Sequence, residues 1–210
     1  MLYLPKMPTF IKKVFSEALC NGPRDKKVLY LTFDDGPTPE VSSWVMNLLN
    51  RYKANATFFW LGKNMVRYPE YIEKAKSAGH LIANHTFDHP SGWKTRIDKY
   101  LKNIEDCDSV YASKYFRPPY GKLTWKLYQK IRREKQIVLW DVVSYDYDQK
   151  VGPEKCLAFT MKNISSGSII VFHDSHKAWP KLKYVLPKVL ERFTKEGYDF
   201  NTIKELKSSV

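Results

Sequence analysis

The chain has few cysteines, a deficit of acidic residues and no long apolar run. Cys20, Cys107 and Cys156 are odd in number and widely spaced, which excludes a disulfide framework and a cysteine-based metal site and leaves reduced, mostly buried thiols. Lys6, Lys12 and Lys13 interrupt the apolar residues of the first twenty positions, so no apolar region of signal-peptide length occurs there. Leu19 stands immediately before Cys20, where a lipoprotein signal wants a small residue. No segment is long and apolar enough to span a membrane. A cytoplasmic location is therefore expected, or peripheral membrane contact through a short basic, apolar N-terminus.

No repeat, linker or low-complexity stretch appears, and 210 residues suit one large domain over 1–210. Lysine and arginine outnumber aspartate and glutamate by 35 to 22, a net charge of +13. Such a surplus serves nucleic acid, an anionic membrane or an acidic cell-wall polymer, or is simply a solvated surface. The lysines are dispersed (Lys74, Lys94, Lys126, Lys183) and no nucleic-acid motif accompanies them, so nucleic acid ranks last as a partner.

Short apolar, β-like runs recur along the chain: 28–33, 56–61, 80–84, 115–116, 137–140 and 168–172, with a last strand expected over 198–203. Stretches of helical length fall between them, roughly 39–52, 69–78, 95–113, 123–135, 153–164 and 179–196. Strand alternating with helix implies a parallel α/β sheet, closed or nearly closed into a (β/α) barrel. Polar clusters follow the runs: Asp34 and Asp35, His85 and His89, Arg117, Asp146, His173 and Asp174. In such a barrel they share one mouth, which argues catalysis.

His85 and His89 stand four apart, a spacing that puts both imidazoles on one face of a helical turn within reach of one ion. Thr86 stands where a thermolysin-like protease needs its glutamate. Of Asp34 and Asp35, adjacent on an extended strand, one can ligate while the other faces substrate, and Gly36-Pro37 then turns the backbone away. Two histidines and one carboxylate leave open positions for water and a substrate oxygen.

Five motifs stand in order: Thr32 to Gly36 (TFDDG), His85 to His89 (HTFDH), Arg117 to Gly121 (RPPYG), Asp141 to Tyr147 (DVVSYDY) and Val171 to Asp174 (VFHD). By these the chain resembles the polysaccharide deacetylases that share the NodB homology domain, carbohydrate esterase family 4. The resemblance implies a distorted, NodB-like (β/α) barrel of about seven parallel strands. It implies that Asp35, His85 and His89 bind a divalent metal, zinc by default and cobalt or iron as alternatives. It further implies that Asp34 is the general base oriented by Arg117, that Tyr120 offers its backbone N–H to the oxyanion, and that His173 is the general acid supported by Asp146.

In the fourth motif Tyr147 replaces the usual tryptophan and Val143 an aspartate. Trp60, Trp93, Tyr120 and Trp179 lie near expected mouth loops, where their rings could stack on sugars. The expected function is removal of N-acetyl groups from an amino-sugar glycan, either peptidoglycan or an N-acetylglucosamine oligomer or polymer. Hydrolysis of small cyclic amides or imides, and a glycan-binding module that keeps the metal for structure, are the rivals.

Overall fold

The computed structural model describes residues 3–206. The expected single domain of 1–210 thus includes positions 1–2 and 207–210, which lie outside the described residues. The first half runs α1 (Thr9–Val14), β1 (Val28–Asp34), α2 (Pro39–Arg51), β2 (Ala56–Trp60), α3 (Gly62–Arg67), α4 (Glu70–Ser77), β3 (Leu81–Asn84) and α5 (Ile97–Val110). The second runs β4 (Tyr115–Phe116), α6 (Trp125–Ile131), β5 (Gln136–Ile137), β6 (Val142–Val143), α7 (Pro153–Asn163), β7 (Ile169–His173), α8 (Trp179–Lys195) and β8 (Asp199–Phe200). Seven strands follow one another as β5-β4-β3-β2-β1-β7-β6, all in parallel pairs, and β8 pairs with the start of β1. This is the expected curled, barrel-like α/β fold.

Alternation along β1 sorts its side chains between two cores. Leu29, Leu31 and Phe33 point outward to the helices, where Phe33 stacks against Phe58 and Phe172 with ring centroids 5.2 and 5.9 Å away. Tyr30 points to the concave side with Phe59, Ala83, Tyr115, Val138 and Ile169. Thr32 and Asp34 continue that inward row, which is why the strand delivers one acid to the barrel interior. Over the outer face, α8 buries Leu182, Val185, Leu186, Val189, Leu190 and Phe193, a helical period. Those six side chains contribute on the order of 10 kcal/mol of transfer free energy.

The expected helices all form, shortened by a residue or more at most ends, whereas α1 and α3 are additions. The expected 137–140 strand shrinks to Gln136–Ile137, and a separate strand not expected from the sequence forms at Val142–Val143. Residues 136–137 pair with β4 and 142–143 with β7, and no ladder joins β5 to β6 among the described residues. The expected last strand shrinks to Asp199–Phe200 before a 3-10 turn over Ile203–Glu205.

The N-terminal segment covers the gap. Leu19 exchanges backbone bonds with Ile137 and Leu139, both β5-side, at 2.9 and 2.8 Å. Met7 donates to the Asp141 carbonyl and Val143 donates to that of Pro5, each at 2.9 Å. Two sheet edges that would otherwise be open to association are thereby paired.

The fully buried Asp141 fastens this segment. Its carboxylate accepts from Lys6 at 2.9 Å, Lys12 at 2.7 Å, Arg24 at 3.0 Å and Ser168 at 2.7 Å. Burial works to raise its pKa, but the bonds from Lys12, Lys6 and Ser168 more than offset that and hold it down to about 2. We expect Asp141→Ala to lower the unfolding free energy at neutral pH by about 2–3 kcal/mol, below the cost of breaking a fully buried pair because Lys6 and Arg24 are 40% and 41% exposed. The depressed pKa means this stability is present above the unfolded carboxyl value of about 4 and is lost as pH falls toward about 2. Urea titrations across that range should therefore show parent and variant converging in acid.

Candidate active site

Register brings the polar strand ends together: Asp34 lies opposite Phe59 of β2 on one side and His173 of β7 on the other. Arg117, just past β4, reaches under them with a fully buried side chain. Its Nη1 donates to Asp34 Oδ1 at 2.6 Å and to Thr32 Oγ1 at 2.7 Å, and Nη2 donates to the Leu139 carbonyl at 3.0 Å. The guanidinium carbon stands 4.1 Å from the Phe59 ring centroid. An ion pair so shielded from water holds Asp34 in one orientation.

Asp35 turns away from Asp34, as expected of the pair, but through a left-handed φ of 79° rather than an extended strand. Its Oδ1 lies 3.3 Å from His89 Nε2 and 3.7 Å from His85 Nε2, and the three ligand atoms all fall within 4.8 Å of one another. That oxygen is buried and has no hydrogen-bond partner among the described residues, as befits an atom waiting for a cation. His85 Nδ1 is 2.8 Å from the Arg117 carbonyl, a bond that leaves Nε2 as the bare nitrogen facing Asp35. Burial, followed by the neighbouring His89, pushes His85 down to about 3, and burial also lowers His89. Both imidazoles are therefore neutral at neutral pH, the form that ligates a metal.

The helical turn expected for residues 85–89 is absent. His85 ends the β3 path and Thr86 and His89 take left-handed φ values of 71° and 68°. Asn84 Oδ1 accepts from Thr86 N at 2.8 Å, and Thr86 Oγ1 accepts from His89 N at 3.0 Å, so two local side-chain bonds fold the loop back. Strained backbone of this kind is at home in a functional loop.

His173 and the fully buried Asp146 form a second pair, with the imidazole partly open to the mouth. The ring Nδ1 is 2.7 Å from Asp146 Oδ1, and the His173 backbone donates to Oδ2 at 2.8 Å. Burial disfavours the imidazolium, but the Asp146 carboxylate, then Asp35 and Asp34, prevail and raise the pKa to about 9. Tyr120 sits in a 3-10 turn with φ of 60°, its ring centroid 4.5 Å from that of His89. Tyr147 stands 4.8 Å from His173, forming an aromatic wall there.

The expected mouth aromatics divide. Trp93 and Tyr120 are 64% and 60% exposed. Trp60 is instead fully buried, its indole N–H donating to Asp174 at 2.9 Å, because a residue that closes a central strand faces the core. Trp179 begins α8 and packs edge-on to Trp44 with centroids 5.1 Å apart.

Asp174, named in the sequence only as a neighbour of His173, proves to be the anchor of the acidic turn. Its buried carboxylate accepts from Gly36 N at 3.1 Å, from Trp60 and from the Ser42 hydroxyl, while its own N–H donates to the Asp34 carbonyl at 3.1 Å. A Cβ at position 36 would collide with that carboxylate, so only glycine fits. Burial pushes Asp174 up to about 7, with the bonds from Ser42 and Trp60 opposing. Asn64 completes the anchor by donating to the Asp35 carbonyl at 2.7 Å.

Against known proteins, residues 21–136 match the family model described as polysaccharide deacetylase. The chain belongs to the polysaccharide deacetylase family. Members of this family are metal-dependent hydrolases, and the Asp35, His85 and His89 cluster fits that requirement. Among polysaccharide deacetylases, a peptidoglycan-N-acetylglucosamine deacetylase of Bacillus cereus is 32% identical over 194 residues, covering 88% of this chain and 90% of that protein. The peptidoglycan-N-acetylmuramic acid deacetylase PdaC of Bacillus subtilis is 28% identical over 188 residues, 87% of this chain but 39% of PdaC. The crystal structure of the Bc1960 peptidoglycan N-acetylglucosamine deacetylase, in complex with 4-naphthalen-1-yl-N-oxidanyl-benzamide, superimposes with a TM-score of 0.83 at 27% identity, covering 96% of this chain and 97% of that one.

Because Asp174 holds the turn that aims Asp35, Asp174→Asn should weaken zinc binding about ten-fold in calorimetric titration. An unchanged affinity, with the variant still folded by circular dichroism, would show that the turn is held without it.

Proposed function

We propose that this chain removes N-acetyl groups from a peptidoglycan-type amino-sugar glycan by metal-dependent hydrolysis. One observation carries the reading: Asp34, fixed by Arg117, and His173, fixed by Asp146, end neighbouring strands beside the Asp35, His85 and His89 cluster. A glycan-binding module needs neither of those two pairs. The names of the relatives support an acetylated peptidoglycan sugar, and the expected cell-wall partner agrees with the basic surface.

Asp35, His85 and His89 would hold the divalent ion, whose charge polarises the acetamide carbonyl and acidifies the attacking water. A two-nitrogen, one-oxygen donor set with open positions favours zinc, with cobalt and iron also suited. Asp34 takes the proton from the water as its oxygen bonds to the carbonyl carbon. The Tyr120 backbone N–H donates to the oxygen on which negative charge develops. His173 protonates the sugar nitrogen as the C–N bond breaks, releasing acetate and a free amine. A histidine whose pKa lies above neutrality carries the proton that this step requires.

We propose that the protein is cytoplasmic or peripherally bound to a membrane or wall. Exposed Leu4, Phe10 and Val14 suit peripheral contact of the N-terminal segment with a membrane or wall, although Lys6 and Lys12 are engaged by Asp141. No helix among the described residues is long and apolar enough to cross a membrane.

Acetate release from N-acetylglucosamine oligomers and from peptidoglycan tests the reading. Metal-stripped protein should be inactive and recover with zinc, and Asp34→Asn or His173→Ala should lower kcat by about 10² to 10⁴-fold. Acetate absent from every glycan while the metal stays bound would overturn it and bring cyclic amides forward. The rate should fall as pH rises through the His173 pKa, which a bound cation brings below about 9. Asp146→Asn should shift that alkaline limb to lower pH, because it removes the charge that favours the imidazolium.

A further inference from the structure

Beside the metal cluster the exposed aromatic surface is organised. The edge of Tyr120 meets His89, and Lys122 Nζ stands 5.7 Å from the Tyr120 ring centroid and 5.1 Å from that of Trp93. The row therefore runs outward from a metal ligand through one ring and one cation to a second ring. Trp93 is fixed despite its exposure, because its indole N–H donates to the Leu123 carbonyl at 3.1 Å. A Cβ at Gly92 would strike the Lys122 carbonyl, so the segment carrying Trp93 lies directly against the segment carrying Lys122. Among the described residues Lys122 pairs with no carboxylate, unlike Lys76, Lys102, Lys135 and Lys195, which each hold one.

A ring face held rigid in water is a platform for the apolar face of a sugar. A cation between two such faces, with no protein anion to neutralise it, selects a negatively charged group on whatever lies across them. The contacts lead from His89 to the Tyr120 ring and on through Lys122 to Trp93. A sugar over Trp93 thus takes the place of a neighbouring unit in the chain and not of the acetylated unit itself.

We propose that Trp93, Tyr120 and Lys122 form a subsite for the sugar next to the acetylated one, and that this neighbour carries a carboxylate recognised by Lys122. The proposal rests on the deacetylase reading and narrows its substrate to an alternating, anionic glycan over a neutral homopolymer. Tyr147 and Lys177, with Nζ 6.0 Å from the ring centroid, repeat the aromatic and cation pairing beside His173.

The test is calorimetric binding to zinc-loaded Asp34→Asn protein, which holds glycan without turning it over. Two tetrasaccharides serve as probes: neutral N-acetylglucosamine tetramer, and its counterpart alternating N-acetylglucosamine with N-acetylmuramic acid bearing free lactyl carboxylates. Adding Lys122→Gln should weaken the anionic probe about five-fold and the neutral one by less than about two-fold, with Lys122→Arg restoring the preference. Adding Trp93→Ala should weaken both tetramers about ten-fold and leave single N-acetylglucosamine unaffected. Equal weakening of both probes by Lys122→Gln, or tetramer affinity indifferent to Trp93, overturns the proposal. Binding is read apart from turnover, so absence of acetate release from the parent protein sinks the deacetylase reading separately.

Discussion

The guanidinium of Arg117 sits on the concave side of the sheet, and both halves of the site hang from it. Burying a lone cation costs several kcal/mol, so it must be answered on every side. Here Asp34 and Thr32 of β1, the carbonyls of Val138 and Leu139 and the face of Phe59 supply the answer. The same residue's backbone carbonyl fixes the ring of His85. One side chain thus orients the proposed base while its main chain orients a proposed ligand, and the two cannot drift apart. Lysine could not substitute, because a point charge lacks the planar fork that reaches β1 and the 138–139 segment together.

A similar economy governs the acidic turn. Asp34 points inward by strand alternation, while Asp35 escapes the strand through a left-handed residue and Gly36 passes against Asp174. Each carboxylate has its own neighbour: a cation for Asp34, a bare oxygen facing two imidazoles for Asp35, and hydrogen-bond donors for Asp174. Three adjacent acids thereby take on three different characters without any being displaced from the others.

Much of this was legible in the chain. Strands β1, β2 and β7 are buried on both faces, so their composition announces them, and motif residues fall at the ends of β1 and β7. The two-residue strands were not legible, since the pairing of 136–137 and 142–143 is decided by neighbours distant in sequence. Nor were the six-residue helices α1 and α3, which are too short to show a period. The spacing of His85 and His89 suggests a helix, and only the Asn84 and Thr86 side-chain bonds reveal the loop that forms instead. Asp174 is hidden for a similar reason: its partners Gly36, Ser42 and Trp60 lie more than a hundred positions away.

The N-terminal segment carries a consequence for how the molecule comes together. A chain made from its amino end releases Pro5, Met7 and Leu19 early, yet their backbone partners are Val143, Asp141 and the 137–139 stretch. Pro5 and Met7 therefore wait for Val143 and Asp141 to emerge before their backbone partners exist. The seam between β5 and β6 is thus shut by a segment made well before either strand, and Asp141 is the latch that arrives to receive it.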